Sequence, residues 1–417
     1  MKHFSLLFTL ICLCSCSDNV NTQLSQDFSK DFNTTFVSED SAVIIANQAI
    51  SALEEASLTR SCDTPKNRKI KSVTTVYLNE ANTRSNSRET TSPFYFINYK
   101  DNQGFVIVSG DKRLQPIYAI SDQGTLNIKD TLNNKGLALF MEGIKRDSQR
   151  ASKKPTIFTS YKDVNCILYP QVAPLIWAKA REWGQLSPFN NYCFTQSGEQ
   201  ALVGCAPVAC GLIMSYYSWP ETINNESILW RPMKKGSTDL AAKLFYILGK
   251  KQLLNTKYGT KASVSHIDSI RSTFKAMGYM TPNKFKLFSS NDIKEILDNA
   301  LKGLQGNTGQ GPVLIAGSTG SDAHIWVIDG YAENPVYESD GSTYKATLFH
   351  CIWGNNKGLN NGYFALSNNQ LGGKSYLFDI NDAGTNNVDE ICYYSGLLYM
   401  TNFKKSPNVE NGNVTVK

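Results

Sequence analysis

Cys205 stands in the stretch GCAPVACGLIMSYYSWP, where the apolar residues Ala209, Leu212, Ile213 and Tyr216 or Tyr217 recur at the spacing of one helical face. Pro207 is compatible only with a first turn, so the pattern puts Cys205 at a helix N-terminus. There the unpaired backbone N–H groups and the helix dipole favour a thiolate over a thiol, lowering the cysteine pKa and activating a nucleophile. The competing reading is a packed thiol, the commoner fate of a free cysteine. A nucleophilic cysteine also needs a base, something to orient that base, and donors for an oxyanion. Three histidines beyond His3 compete for the first role. His266 falls in a helical pattern beside Ile267 and Ile270, where capping or packing is expected. His350 alternates with Leu348 and Ile352 along a strand, which directs it into apolar surroundings. His324 follows the small-residue loop AGSTGSDA and opens the strand HIWVIDGY, a sheet-rim position of the kind where side chains meet substrate. The chemistry indicated is acyl transfer through Cys205 with His324 as base. A zinc hydrolase built from Cys205, Cys210, His324, His350 and Cys351 is disfavoured: five residues along a helix turn ~140°, and strand neighbours point to opposite faces. No metal or cofactor is called for.

The elements that must carry these residues divide near residue 155. Before it, a helix is expected from Ser38 or Ser41 onward, a strand in SVTTVYL, a hairpin with strands at 94–99 and 104–109 joined through KDNQ and Gly104, and a helix over 136–149. After the basic, proline-containing stretch RASKKPTIFTSYKD, helices come first, at 172–183, 205–218, 238–250, 264–277 and 291–304. The strands PVLIAG, HIWVIDGY, KATLFHCIW, GYFAL and GLLYM follow. Helices followed by strands argue an α+β fold.

At 417 residues the chain can hold two or three domains. The balance of 42 basic against 36 acidic residues is a weak bias, and the densest basic run, KNRKIK, is short, so nucleic acid is not an expected partner. Residues 1–15 read as an export signal, with Lys2 ahead of an apolar run from Phe4 to Leu13 that is too short to anchor as a span. The run ends LCSC, which resembles the lipobox of bacterial lipoproteins with Cys16 as the modified residue. That would place the protein, through a lipid anchor on Cys16, at a bacterial membrane surface, the outer membrane or cell surface. Residues 16–35 are a polar tether. The cysteines remaining, Cys62, Cys166, Cys193, Cys205, Cys210, Cys351 and Cys392, are odd in number, which implies at least one free thiol.

WGQLSPFN, GCAPVACGLIMSYYSWP, AHIWVIDGY and FHCIWGNNKGLNNGYFAL, in that order, resemble the successive signatures of the streptopain family of bacterial cysteine peptidases. FYFINYKDNQGFVIVSGDKRLQPIYAIS resembles that family's inhibitory propeptide. The resemblance implies a papain-like peptidase domain, a helical subdomain plus an antiparallel β subdomain, at 164–405. A small α+β propeptide domain at 36–150 would act as intramolecular inhibitor, with a linker and maturation site at 151–163 and a polar tail at 406–417. It implies peptide or protein substrates, Cys205 as nucleophile, His324 as general base and acid, Gln185 as side-chain oxyanion donor, and Trp353 as a shield for the histidine. Gln200, five residues before Cys205, is a local rival to Gln185. Three departures stand out: Ile352 occupies the place of an asparagine that holds the histidine ring, Asn355 that of a second tryptophan, and SDAH that of a glycine pair. Asp329 faces away from His324 on its strand, so the orienter is unassigned. A catalytically inactive surface lipoprotein that binds peptides or host proteins is the alternative these departures leave open.

Overall fold

The structure is a computed structural model that describes residues 35–58, 67–78, 92–127, 134–151, 168–280, 282–302, 309–318, 323–337, 343–366 and 396–416. The expected signal, lipobox, tether and most of the linker therefore lie outside the described residues. No helix among those described is long and apolar enough to cross a membrane.

The N-terminal part begins with helix α1 (Glu39–Leu58), whose Ser38 hydroxyl accepts from the Ser41 N–H at 3.2 Å. Ala42, Ile45, Ala46, Ala49, Ile50 and Leu53 are buried at three-and-four spacing. Strands β1 (Ile70–Tyr77), β2 (Pro93–Tyr99), β3 (Phe105–Ser109) and β4 (Ile117–Ser121) form an antiparallel meander, and β2, β3 and β4 are buried along their whole length. Helix α2 (Lys135–Ala151) is capped by Asn134, whose Oδ1 accepts from the Leu137 N–H at 3.0 Å.

The C-terminal part opens with β5 (Tyr169–Val172) and the single-turn α3 (Ala178–Arg181), where the sequence pattern suggests one helix over 172–183. Pro170 and Pro174 deny the backbone donors a helix needs, and β5 instead pairs with the long strand that carries His324. Helices α4 (Cys205–Tyr217), α5 (Trp230–Lys234), α6 (Thr238–Gly249), α7 (Asp268–Ala276) and α8 (Ser290–Leu301) follow, with the short strands β6 (Thr222–Ile223), β7 (Glu226–Ser227) and β8 (Lys286–Leu287). α4 is apolar all round because it runs through the middle of this half. It ends at Ser218 in the left-handed conformation, φ 49°. Strands β9 (Val313–Ser318), β10 (Ala323–Tyr337), β11 (Thr343–Ile352), β12 (Gly362–Phe364), β13 (Gly396–Met400) and β14 (Asn413–Val414) complete the chain.

One sheet spans both parts, in the order β1-β2-β3-β4-β12-β11-β10-β9-β13-β8, with β5 added on β10. The junction is the antiparallel pair β4–β12, with Ser121 opposite Gly362, Ile120 opposite Tyr363 and Ala119 opposite Phe364. Two apolar clusters lie on either side of the C-terminal strands. One contains the N-terminal part and the inner face of α8 together with Trp326, Ile328, Cys351 and Trp353; the other contains α3 to α7 together with Ile325, Val327 and Ile352. The period of two along β10 sorts these side chains. It puts His324 on the face of Trp326, towards the N-terminal part, and Ile325 on the face of α4. The helices-then-strands order is the α+β arrangement expected, with a helical layer against an antiparallel sheet.

Candidate active site

Cys205 is the first residue of α4, following Gly204 in an extended left-handed conformation, φ 92°. The backbone N–H groups of Ile325, Cys205 and Ala206 all favour its thiolate, but burial outweighs them and the thiol pKa is raised above 9.0. That reverses the sequence expectation of a lowered pKa. A nearby cation would also lower the pKa, and among the described residues no charged partner acts on this thiol.

His324 is 3% exposed. Its Nε2 lies 2.8 Å from the carbonyl oxygen of Trp353, an atom that only accepts, so Nε2 carries the proton. The ring lies nearly parallel to that of Trp326, with centroids 6.1 Å apart, and Trp326 packs in turn on Trp353 at 5.2 Å. Over the His324 and Trp353 rings sits the first turn of α2. Gly136 approaches so closely that a Cβ there would run into the Trp353 and His324 rings. Burial, aided by the nearby Lys135 ammonium and only partly opposed by the Trp353 carbonyl, pulls the His324 pKa down to about 4. No hydrogen bond joins His324 to Cys205. The structure thus leaves the two candidate reacting groups without a hydrogen bond between them and favours the neutral form of each.

Gln185 and Gln200 are separated clearly. The Gln200 amide donates to the carbonyls of Asn190 and Cys193, the latter at 2.9 Å, so its donors are spent on a local turn. The Gln185 carbonyl accepts from the Val203 N–H at 3.0 Å, two residues before the nucleophile. Its half-exposed side-chain amide has no hydrogen bond to a described residue.

The other histidines differ from their sequence readings. His266 precedes α7 instead of lying within a helix, and pairs with Asp268 at 3.2 Å in solvent. His350 is fully buried, but between charges: Nδ1 lies 2.6 Å from Asp329 and Nε2 3.0 Å from Asp122. Strand alternation alone cannot show this. A register shift between Ile328 and Gly330 leaves Asp329 as the extra residue of a bulge, turned towards His350. The other carboxylate arrives from the N-terminal part, 228 residues away in sequence. Burial opposes charge on His350, yet the two carboxylates override it and raise its pKa to about 9. Asp122 is correspondingly lowered, His350 overcoming its desolvation.

The loop after β11 connects these groups. Trp353 gives its carbonyl to His324, and its N–H to Asn361 Oδ1 at 3.0 Å. Asn361 Nδ2 reaches the Arg181 carbonyl at 2.9 Å, and its own carbonyl accepts from Asp122 N–H at 2.8 Å. Asn360 N–H donates to the Gln123 carbonyl at 3.1 Å. Ile352 is fully buried in the helix-side cluster, away from the His324 ring, so its position here is structural. Asn355 makes no side-chain cap to its turn.

Comparison with known proteins gives two adjacent matches. Residues 34–148 match the Spi protease inhibitor model, and residues 183–364 match the Peptidase C10 family model. The chain is 23% identical over 309 residues to the thiol protease/hemagglutinin PrtT of Porphyromonas gingivalis, covering 66% of this chain and 34% of that protein. It is 30% identical over 127 residues to streptopain of Streptococcus pyogenes, covering 28% and 30%. The chain spans about a third of the length of these curated relatives. Among solved structures, an alanine-for-cysteine mutant of Prevotella intermedia prointerpain A is similar with a TM-score of 0.47 and 16% identity, covering 77% of this chain and 98% of that one. Active wild-type interpain A from the same organism gives 0.36 and 17%, covering 55% and 93%. An inhibitor-type match at 34–148 thus leads into residues 183–364, the segment that contains Cys205, His324 and Gln185 and matches the Peptidase C10 family.

Proposed function

We propose that the protein is a cysteine endopeptidase made as a latent zymogen, and that residues 35–151 are its own inhibitor. The observation that carries this reading is the position of His324, held on the Trp353 carbonyl beneath Gly136 of α2 while Cys205 waits at the start of α4. The Ile325 N–H already meets the Cys205 sulfur. Release of α2 uncovers the His324 ring, which must then leave the Trp353 carbonyl and swing to the sulfur.

Once beside the thiol, the His324 imidazole takes the Cys205 proton and the sulfur attacks the scissile carbonyl carbon. Charge on the carbonyl oxygen is met by the Cys205 backbone N–H and the Gln185 amide; one such donor is worth ~3 kcal/mol in the transition state. The imidazolium then protonates the leaving amine. Water, deprotonated by the same ring, hydrolyses the thioester and restores the thiol. Trp353 backs the ring throughout.

Cleavage in the segment 151–163 separates the two parts, and the motif ending at Cys16 supports a lipid-anchored protein at a bacterial membrane surface. The test is hydrolysis of a peptide library by full chain matured through limited proteolysis, with a Cys205→Ala control. Turnover that survives Cys205→Ala, or the absence of covalent labelling of Cys205 by a peptidyl epoxide, would refute the assignment. Metabolic labelling with an alkynyl fatty acid, lost in Cys16→Ala, tests the anchor separately.

A further inference from the structure

Gln185 stands in a loop with no regular structure of its own. Trp183 fixes one end, 1% exposed and edge-on to Phe245 at 5.5 Å, and Phe189 fixes the other, 4% exposed. Between these anchors the backbone is met by one side chain from the turn after β11. Asn356 Oδ1 accepts from the Leu186 N–H at 2.8 Å, and its Nδ2 donates to the Ser187 carbonyl at 2.8 Å. On the other side of Gln185, Gly184 lies so close to the Asn356 backbone and amide that a Cβ would collide with both. Asn356 thus brackets Gln185, touching the residue before it and bonding the two after it. The Gln185 carbonyl is held separately by Val203. The backbone around residue 185 is therefore fixed from two directions, and its side-chain amide is left to donate.

A side chain that presents one acceptor and one donor to two peptide groups of the same loop, those before Leu186 and after Ser187, fixes the loop in position and in rotation. Two exposed hydrogen bonds add little to folding, but an oxyanion donor must sit within ~2.7–3.1 Å of the developing charge. A displacement of about 1 Å can cost ~100-fold in rate. We propose that Asn356 is a positioning residue for Gln185, clamping the 184–187 loop so that the amide meets the oxyanion. This rests on the reading of Gln185 as an oxyanion donor.

The test uses full chain matured by limited proteolysis and compares Asn356→Ala, Asn356→Asp, Gln185→Ala and the double variant Asn356→Ala/Gln185→Ala. Asn356→Ala should lower kcat about tenfold with KM within about twofold, less than the ~100-fold expected of Gln185→Ala. The double variant should be no slower than Gln185→Ala alone, because Asn356 acts only through Gln185. Asn356→Asp keeps the acceptor for Leu186 and loses the donor to Ser187, so it should fall between Asn356→Ala and the unaltered enzyme. It also guards against an alanine variant that fails to fold. The rate of Cys205 alkylation by iodoacetamide, which needs no oxyanion donor, should stay unchanged. A normal kcat in Asn356→Ala, multiplying effects in the double variant, or a parallel fall in alkylation would each overturn the assignment. A normal kcat in Gln185→Ala would instead remove the oxyanion reading, and the clamp's catalytic meaning with it.

Discussion

Replacing Asp122 with asparagine should loosen the inhibitor domain without altering a reacting group. The carboxylate belongs to the N-terminal part and the imidazole it meets, His350, to the peptidase domain, so this contact is broken when the two separate. His350 is fully buried, whereas the Asp122 side chain is 40% exposed. A charged hydrogen bond contributes ~1.5–3 kcal/mol, and partial exposure puts this one at the low end through solvent screening. The asparagine oxygen still accepts from Nε2, so the net loss should be about 1 kcal/mol, roughly fivefold to tenfold in the docking equilibrium. The β4–β12 ladder remains. The assay offers full-length Cys205→Ala protein, with and without Asp122→Asn, as a substrate to matured enzyme and follows separation at the linker. The Asp122→Asn chain should be cut about fivefold to tenfold faster at pH 7. The pH dependence has a definite sign. The His350 pKa is raised from 6.5 to about 9, burial opposing and Asp329 and Asp122 overriding. Its contact with Asp122 is therefore lost as pH rises through about 9. The Asp122 pKa is lowered, so its contribution is lost only on acidification through that depressed value. Removing Asp122 should move the alkaline release of the inhibitor domain to lower pH. Equal cutting rates at pH 7 together with equal alkaline midpoints would refute the argument.

Four further outcomes follow from the same geometry. In the full chain, alkylation of Cys205 should be slow at pH 7 and accelerate only above pH 9, because burial raises its pKa; maturation should make it fast at neutral pH, as mass spectrometry would show. His324→Ala should abolish turnover in a matured protein of normal stability. His350→Ala should lower stability in urea by about 3 kcal/mol, since it leaves the fully buried Asp329 carboxylate without its cation. Ile352→Asn should cost ~1–3 kcal/mol in melting experiments without raising kcat, because the position lies in the apolar cluster of the helices and not against the His324 ring.

The helix of Cys205 was legible because its determinants are local: a glycine, an early proline and a period of 3.6. Expected at 205–218, it is found at Cys205–Tyr217. The hairpin expected at 94–99 and 104–109 forms as Pro93–Tyr99 and Phe105–Ser109, fixed by a turn within the same stretch. The failures share a different cause. His350 reads as apolar because alternation reports burial and says nothing of what fills the space opposite. The carboxylate opposite belongs to a strand end 228 residues earlier. Asn356 in GNNKG looks like turn composition; only the folded chain shows its amide reaching Leu186 and Ser187. The thiol pKa was misread for a related reason. Helix N–H groups can be inferred from sequence, whereas the desolvation that outweighs them depends on what is packed above the sulfur.

Latency in this arrangement is a matter of protonation as much as of obstruction. With burial raising the thiol pKa and pulling the imidazole down to about 4, transferring a proton from Cys205 to His324 is unfavourable before any attraction between the ions. Attraction is small while the ring is turned to Trp353. The His324 perturbation comes with the first turn of α2 closed over the His324 and Trp353 rings, and the Cys205 perturbation from the burial of the sulfur itself. Removing that helix wets the ring, raises its pKa towards the ordinary 6.5 and frees it from the Trp353 carbonyl. Each change favours the same ion pair. The loop that holds the ring through Trp353 also holds Gln185 through Asn356, and is itself held by Asp122 and Gln123 of the inhibitor domain through Asn361 and Asn360. An inhibitor seated only over the cleft would block substrate and leave the nucleophile reactive. One that also buries the base disarms the thiol, so an escape of substrate past the block would still meet a neutral, unreactive cysteine.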